Sequence, residues 1–577
     1  MGLINSALQI GRSAILTYQG ALQTVGNNIS SAASPDYTRL NPLLGSVQGG
    51  ISGTDLQPGA GVAITDIKRM IDDSLEGRLR LAIAGQSESE ARQGSLSQVE
   101  SFFSDVSGAG VGARLTDFFG LFEGLQNAPE DIASRDLTIA GGSLLAESLK
   151  NLRGQLATFG QAVDSQISDL VVSADQIAHQ IGELNQEITT GEAGRRSQVT
   201  ALRDQRDALL RDLSEIFDVT VREEPSGAVN VYIGSEALVQ GASVRDLAAV
   251  QQVDGQFVRT TPRFKDTNQQ VQVSGGRMAG LISARDEDAY GRTDEIDQLA
   301  AALIVDVNRA HADGQGLQGF TSVTGSYDVR AADVALNSSD AGLAFPPQSG
   351  SFFVTVADDA TGTPVAYRID VTLDGTENDT TLASLVDDIN ANISGVTASI
   401  TADNRLKMEA DNGFSFTFGY DGQEPRSDTS HVLAALGVNN FFQGTDASSI
   451  AVSDTLVANP ELLAAGSVFV SGDGANAAKI ATLNTTPSDT LRGDVSIQDF
   501  FNSLAGAVAV DGSAANAAMD AATSVFSALQ AQKESVSGVN LDEEAVSLLK
   551  YQRAFQGTAR FVSVVDDMLG ELVALIR

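Results

Sequence analysis

At 577 residues the chain is too long for one hydrophobic core, so several domains are expected. Its 74 Asp plus Glu stand against 37 Lys plus Arg, and the net charge of -37 excludes a nucleic-acid partner, because no basic stripe exists to neutralise phosphates. With 42% hydrophobic residues, mean hydropathy near zero and no Cys, it is a foldable chain without disulfides, thiolate metal sites or thiol nucleophiles.

At the N-terminus Ile4, Leu8, Gly11, Ile15, Tyr18, Leu22, Val25 and Ile29 recur at alternating spacings of four and three, which is a heptad seam on a helix. Asn27 and Asn28 read as its exit, since Asn tolerates the left-handed cap conformation, and Ser34-Pro35-Asp36 reads as a turn. Irregular loops with short strands are expected over 31–66, a long helix over 70–103 and a short one over 114–126. The apolar positions of 134–188 keep helical spacing, and if continuous span about 80 Å at 1.5 Å per residue. That length points to a rod. A further helix is expected over 197–217.

The period then changes. Val219, Val221, Val229, Val231 and Ile233 alternate as strands do, with Ser226-Gly227 as the hairpin turn. Helix returns over 278–312. Residues 319–444 read as mostly β, with strand-like runs at 352–356 and 396–400 around one helix at 382–393. Helices over 497–536 and 540–576 close the chain, and the last carries a second seam: Leu548, Tyr551, Phe555, Thr558, Val562, Val565, Leu569, Leu572 and Ile576. Each seam leaves an apolar stripe that asks for a partner, either the other terminus or its copy in a neighbouring subunit. A lone helix has a costly nucleus, so the ends are expected to be loose in the free chain and ordered on assembly.

The expected fold is multidomain α+β: an elongated rod with a terminal α-helical coiled coil and a helical-bundle body, and β-rich domains inserted in the middle. The expected partition is 1–70 for the N-terminal coiled-coil helix and loop, 71–217 for the long-helix body, 218–276 for a β-rich segment and 277–316 for a helix returning to the body. It continues with 317–450 as a β-rich outer insertion, 451–497 as a connection, 498–540 as helical body and 541–577 as the C-terminal coiled-coil helix.

Little in the chain suggests chemistry. Gly108-Ala109-Gly110-Val111-Gly112-Ala113 spells a dinucleotide fingerprint, but a long helical stretch precedes it where a buried strand is required, so it reads as an interhelical turn. Asp204 and Asp207 with Arg203 and Arg211 read as a salt-bridged helix face with pairs at i,i+4. Asp313-Gly314-Gln315-Gly316 lacks the further acidic ligands of a calcium loop and reads as a helix exit. His179, His311 and His431 are the only histidines and lie far apart. No catalytic set, cofactor site or metal site is expected. No apolar run is long enough for a membrane span, and the first residues lack the basic and apolar regions of a cleavable signal peptide.

Asn27-Asn28-Ile29-Ser30-Ser31 followed by Ser34-Pro35-Asp36-Tyr37-Thr38-Arg39 resembles the N-terminal signature of bacterial flagellar axial proteins, with Ser31 and Asp36 in place of an Asn and a Gly. Asn127-Ala128-Pro129 with Arg135, Leu184-Asn185-Gln186-Glu187-Ile188, and Leu202-Arg203-Asp204-Gln205-Arg206-Asp207-Ala208-Leu209-Leu210 are similar to the helical domain of the hook-associated protein 1 family. So are Ile296-Asp297-Gln298-Leu299-Ala300 with the following Val307-Asn308-Arg309-Ala310-His311, and Ser537-Gly538-Val539-Asn540-Leu541-Asp542-Glu543-Glu544 with Tyr551-Gln552-Arg553-Ala554-Phe555-Gln556. Residues 382–420 resemble a small β-rich insertion motif of flagellins and hook-associated proteins.

The resemblance implies a non-enzymatic building block that joins hook to filament in the extracellular flagellum, exported through the flagellar type III apparatus. Its implied partners are copies of itself, the hook protein, the second hook-filament junction protein, and a cytoplasmic export chaperone on the C-terminal helix. The implied assembly interface comprises the terminal seams and the Asn27-Asn28 signature. Another axial protein of hook or rod type, or an axial scaffold carrying an adhesive outer domain, is the alternative.

Overall fold

The structure, a computed structural model, describes residues 2–34, 36–47, 59–104, 108, 110–194, 199–358 and 360–575. It is mixed helix and sheet, with several small antiparallel sheets rather than one large one. The chain divides into two compact units, one of Met1–Ser95, Ala162–Ala284 and Ala514–Arg577, the other of Leu96–Gln161 and Arg285–Ser513.

In the first unit the N-terminal helix Gly2–Ser30 packs along the C-terminal helix Leu541–Leu575. An antiparallel hairpin, Leu40–Val47 with Gly61–Arg69, lies against the N-terminal helix, its register running from Leu40↔Arg69 to Val47↔Gly61 with a shift between Leu43 and Leu44. The helix Thr200–Ile216 turns inward with Leu210, Leu213 and Ile216, and also with Arg206. Buried and half-buried residues alternate along Val229–Ile233, the central strand of a four-stranded sheet, as period-two patterning requires. Gly227 supplies the left-handed residue, φ 81°, of the turn into that strand.

Family-motif residues attach this sheet to the helices. Asn185 on the helix Ile132–Gly194 donates through Nδ2 to the carbonyls of Val229 (2.8 Å) and Gly241 (2.7 Å), and its Oδ1 accepts from the Val229 N–H (3.0 Å). Arg206, buried, donates to the Gly227 carbonyl at 2.7 Å and to Asn185 Oδ1 at 3.2 Å. The helix expected to carry a salt-bridged face thus also sends one of its arginines into the core. Burial pulls the Arg206 guanidinium below its ordinary value, and the carboxylates of Asp207 and Glu223 oppose that pull.

The second unit is centred on an aromatic cluster. Phe118 and Phe122 of the helix Val111–Asn127 meet Phe441, and Phe118 also meets Phe442, in edge-on and tilted contacts, with ring centroids 4.7 Å apart for Phe441 and Phe442 and 5.3 Å for Phe118 and Phe122, while Phe119 packs edge-on against Phe118. The helix Ala475–Thr482, inside the stretch expected as a connection, packs on the same helix. Eight residues are too few for a clear helical period, which is why the sequence pattern is silent there. Two three-stranded antiparallel sheets and the helix Leu382–Asn392 build the β-rich region, and Thr381 with Ser384 closes that helix's N-terminus as a capping box. The helix expected over 278–312 is interrupted by a π-helical turn, Ala284–Gly291, whose Tyr290 ring lies against Gly160 with no room for a Cβ there.

His311 is fully buried in this unit. Its Nδ1–H donates to the Asn439 carbonyl at 2.7 Å while Nε2 accepts the Ala464 N–H at 3.0 Å, so the ring is the neutral tautomer. Burial pushes its pKa down to about 4. Because the unfolded chain takes up a proton near 6.5 and the folded chain does not, stability from this group is present above pH 6.5 and lost as pH falls toward 4, by about 3 kcal/mol. Amide exchange in the second unit, followed from pH 7 to pH 4 and corrected for the intrinsic pH dependence of exchange, should show this contribution in the native chain. An H311N chain, with no ionisable ring, should lack it.

Candidate assembly site at the joined chain ends

Gly11 faces Val562 and Asn28 faces Glu544, so the two terminal helices run antiparallel. A Cβ on Gly11 would sit 2.4 Å from Val562 Cγ2, a contact that only glycine permits without displacement. On the C-terminal helix the expected seam is the face that packs: Leu548, Tyr551, Phe555, Thr558, Val562 and Leu569 are half-buried and Val565 is buried. Leu572 lies within this helix, and Ile576 lies outside the described residues.

The N-terminal helix differs from the expectation. Leu8, Ile15, Tyr18 and Leu22 are half-buried, Val25 is buried, and Ile29 is exposed; Ile4 lies within the helix. The fully packed positions include Gly11, Ala14, Thr17, Ala21, Thr24 and Asn28. The reason is a second neighbour: the hairpin 40–69 covers the adjacent face, where Thr17 Oγ1 donates to the Val62 carbonyl at 2.8 Å and Ile64 lies against Gly20. Small side chains let helix and hairpin approach closely, a preference that a search for large apolar residues overlooks.

Asn27 and Asn28 do not close the helix, which continues to Ser30, and neither adopts a left-handed backbone. Asn27 is exposed. Asn28 is 1% exposed and makes four bonds: Nδ2 donates to the Leu40 carbonyl (2.9 Å) and to Glu544 Oε2 (3.0 Å), and Oδ1 accepts from the Leu40 N–H (3.0 Å) and the Tyr37 hydroxyl (2.8 Å). A buried amide with its capacity filled is needed for position, and no aliphatic residue replaces it. Pro35 of the expected turn lies outside the described residues.

Arg39 completes the clasp. Its Nε donates to Glu544 Oε1 at 2.8 Å, a second guanidinium nitrogen reaches Glu543 Oε2 at 2.7 Å, and its backbone N–H donates to the Ser537 carbonyl at 3.0 Å. Glu544 is 2% exposed, so its charge is balanced by Arg39 and held by Asn28 rather than by water. Burial, with Asp204 and Glu544 nearby, pushes the Tyr37 hydroxyl up to about 12 and keeps it a donor.

The helix Thr200–Ile216 braces the same loop. Arg69 bridges Asp204 (2.7 Å) and Asp207 (2.5 Å), and Arg211 meets Asp36 at 2.6 Å and Glu76 at 3.6 Å. Arg203 pairs with Glu192 and Glu223. The charges expected to pair along one helix thus pair across elements, because each carboxylate finds a cation brought in by the fold. Beside the clasp is a cleft of about 950 Å³ lined by Tyr37, Arg39, Lys533, Ser537, Asn540 and Glu543 among others. Burial, and Arg211 next, lower the Lys533 pKa. Arg39, Tyr37, Arg69 and Glu544 are interface-forming residues that apolar periodicity cannot reveal. For Tyr37, Arg39 and Glu544 the signal was the charged and polar content of the signature segments; Arg69 lies outside those segments.

Facing away from the seam, the C-terminal helix exposes Val546, Leu549, Phe561, Val564 and Met568. At about 3.6 residues per turn Val546, Leu549 and Val564 fall on the side opposite Leu548–Leu569, while Met568 and Phe561 lie on its flank, the Phe561 ring reaching toward Gly11. The N-terminal helix exposes Leu16.

Three family models match the chain. The Flagellar hook-associated protein FlgK helical domain covers residues 96–325, the Flagellar basal body rod FlgEFG protein C-terminal model covers 531–575, and the Flagellin hook IN motif covers 356–412. Flagellar hook-associated protein 1 of Salmonella typhimurium is 26% identical over 99% of this chain and 99% of its own length, and that of Escherichia coli is also 26% identical with the same coverage. The protein of that name from Bacillus subtilis is 23% identical over 98% of this chain and 97% of its own. The structure of the flagellar hook junction protein FlgK from Burkholderia pseudomallei shares the fold, with a TM-score of 0.53 and 16% identity over 80% of this chain and 100% of that one. Full-length similarity, the matched helical domain and the shared fold agree: from end to end the chain is similar to flagellar hook-associated protein 1.

Proposed function

We propose that this chain is a structural protein of the bacterial flagellum that joins hook to filament and is held in the assembly by its two terminal helices. The observation that carries the role of the helices is the bare second stripe of the C-terminal helix. Its first stripe is already used against the N-terminal helix, yet Val546, Leu549, Val564 and Met568 stay more than half exposed. An apolar face of that kind on an extended helix is covered by association. Of the two partners expected for the seams, the other terminus is the one each end meets within the chain, and the outer stripe is what assembly covers.

The partners are neighbouring copies, the hook protein on one side and the second junction protein on the other. An export chaperone is a natural temporary cover for the same C-terminal stripe before assembly. The role is mechanical rather than catalytic, and the place of action is outside the cell after export through the flagellar channel. Among the described residues no helix is long and apolar enough to cross a membrane.

A deletion strain is expected to carry hooks without filaments and to shed flagellin into the medium. Complementation with the native chain should restore motility, whereas Leu22→Asp or Leu569→Asp chains should fail to incorporate while the second unit stays folded. Normal filaments on the Leu22→Asp and Leu569→Asp cells would refute the role given to the helices.

A further inference from the structure

His179 sits four residues after Asp175, one turn along the helix Ile132–Gly194, and Asp246 lies in the short link between the strands Ser243–Val244 and Leu247–Asp254. Each of the three offers one ligand atom, and these atoms lie within 4.8 Å of one another. His179 Nε2 is 3.1 Å from Asp246 Oδ1 and 3.9 Å from Asp175 Oδ2. A tetrahedral zinc ion with arms of about 2.0–2.2 Å places its ligand atoms about 3.3–3.6 Å apart, between these two separations.

We propose that Asp175, His179 and Asp246 bind one divalent transition-metal ion of the zinc class, with water at the fourth position, tying the long helix to the β-sheet segment of the first unit. One imidazole nitrogen and two carboxylate oxygens suit zinc or cobalt. They are too few, and of the wrong kind, for calcium, which takes six to eight oxygens.

The main chain aims the Asp175 carboxylate and anchors the link that carries Asp246. Asp175 keeps its other oxygen, Oδ1, on the Leu247 N–H at 2.7 Å, which leaves Oδ2 to face the imidazole. The Asp246 backbone carbonyl accepts the Lys265 N–H at 2.9 Å, which anchors the link that carries it. Oriented ligands of this kind lose little freedom on binding. Two carboxylates converge on one imidazole nitrogen, and a cation placed between them relieves their mutual repulsion. A doubly charged ion balances the two carboxylates. The Lys265 ammonium, 3.9 Å from Asp246, approaches the other oxygen, Oδ2, and is well exposed, so it can swing away.

The test uses the untagged full-length chain, stripped with a chelator and titrated with zinc chloride by calorimetry. A parallel titration with cobalt chloride reads the visible absorption of tetrahedral cobalt. One ion per chain is expected, with affinity falling roughly 30-fold or more in His179→Ala and in Asp246→Asn. Zinc should raise the melting temperature of the native chain and not that of His179→Ala. Because His179 is half exposed on a helix surface, both variants should keep the native circular dichroism. Absence of zinc binding by the native chain, or native-strength binding by His179→Ala, which would place the ions on scattered surface carboxylates, overturns the proposal.

Discussion

Replacing Arg135 by alanine is expected to destabilise the second unit by about 3–5 kcal/mol, because it strips buried carbonyls of their donor and leaves a cavity. Arg135 is 1% exposed, and its Nε donates to the Pro129 carbonyl at 2.7 Å. One terminal nitrogen donates to the Leu463 carbonyl at 2.6 Å and reaches those of Pro460 and Glu461 at 3.4 Å. Burial, partly offset by Glu461, lowers its pKa to about 10, so the side chain is still charged at neutral pH and the carbonyls must hold that charge. The chain has two units and will not unfold in one step, so amide exchange is the suitable measurement. Amides of 111–127 and 460–482 should exchange at least about 100-fold faster in Arg135→Ala, at 1.4 kcal/mol per factor of ten. Arg135→Lys should fall between, since an ammonium cannot span both carbonyls. Native protection in Arg135→Ala would show that the carbonyls find other donors.

Glu544→Ala should release the joined ends. The substitution leaves one Asn28 amide proton without its acceptor and Arg39 with only the exposed Glu543. Removing one partner of a buried pair costs about 3–5 kcal/mol, and the partial exposure of Arg39 reduces this to about 2–3 kcal/mol here. Exchange should accelerate in 6–34 and 541–570 and remain native over 111–127. Cells carrying this variant should lose motility, whereas Glu544→Gln, which retains an acceptor oxygen, should lose less. Unchanged exchange in both terminal segments would mean that apolar packing alone joins the helices.

Much of the molecule was legible because it is written in short-range periods. The expected helix of 497–536 is observed as Ile497–Ser537, the strand of 396–400 as Val396–Ile400, and the C-terminal seam is the face that packs. Each of these depends on residues three, four or two positions apart, and such spacing survives in the linear text. The N-terminal helix was read rightly at Gly11 and Val25, but its packed face also takes Ala14, Thr17 and Ala21, each one position before an expected residue, because it answers to two neighbours at once. Residues that look solvated in a linear reading, Arg206 above all, became core because carbonyls from a distant turn meet them.

Sequence by itself determined the helical and β segments, the two apolar seams and the signature segments that mark the family. Only the tertiary structure decided that Asn28, Tyr37, Arg39 and Glu544 are one clasp, that His311 is a neutral buried link, and that Asp175, His179 and Asp246 converge. Asn28 and Glu544 are 516 positions apart, and a contact between them depends on how every intervening element folds back. Local preference acts over one turn of chain, whereas hydrogen bonds and ion pairs act over a few ångströms of space, and the fold alone connects the two scales.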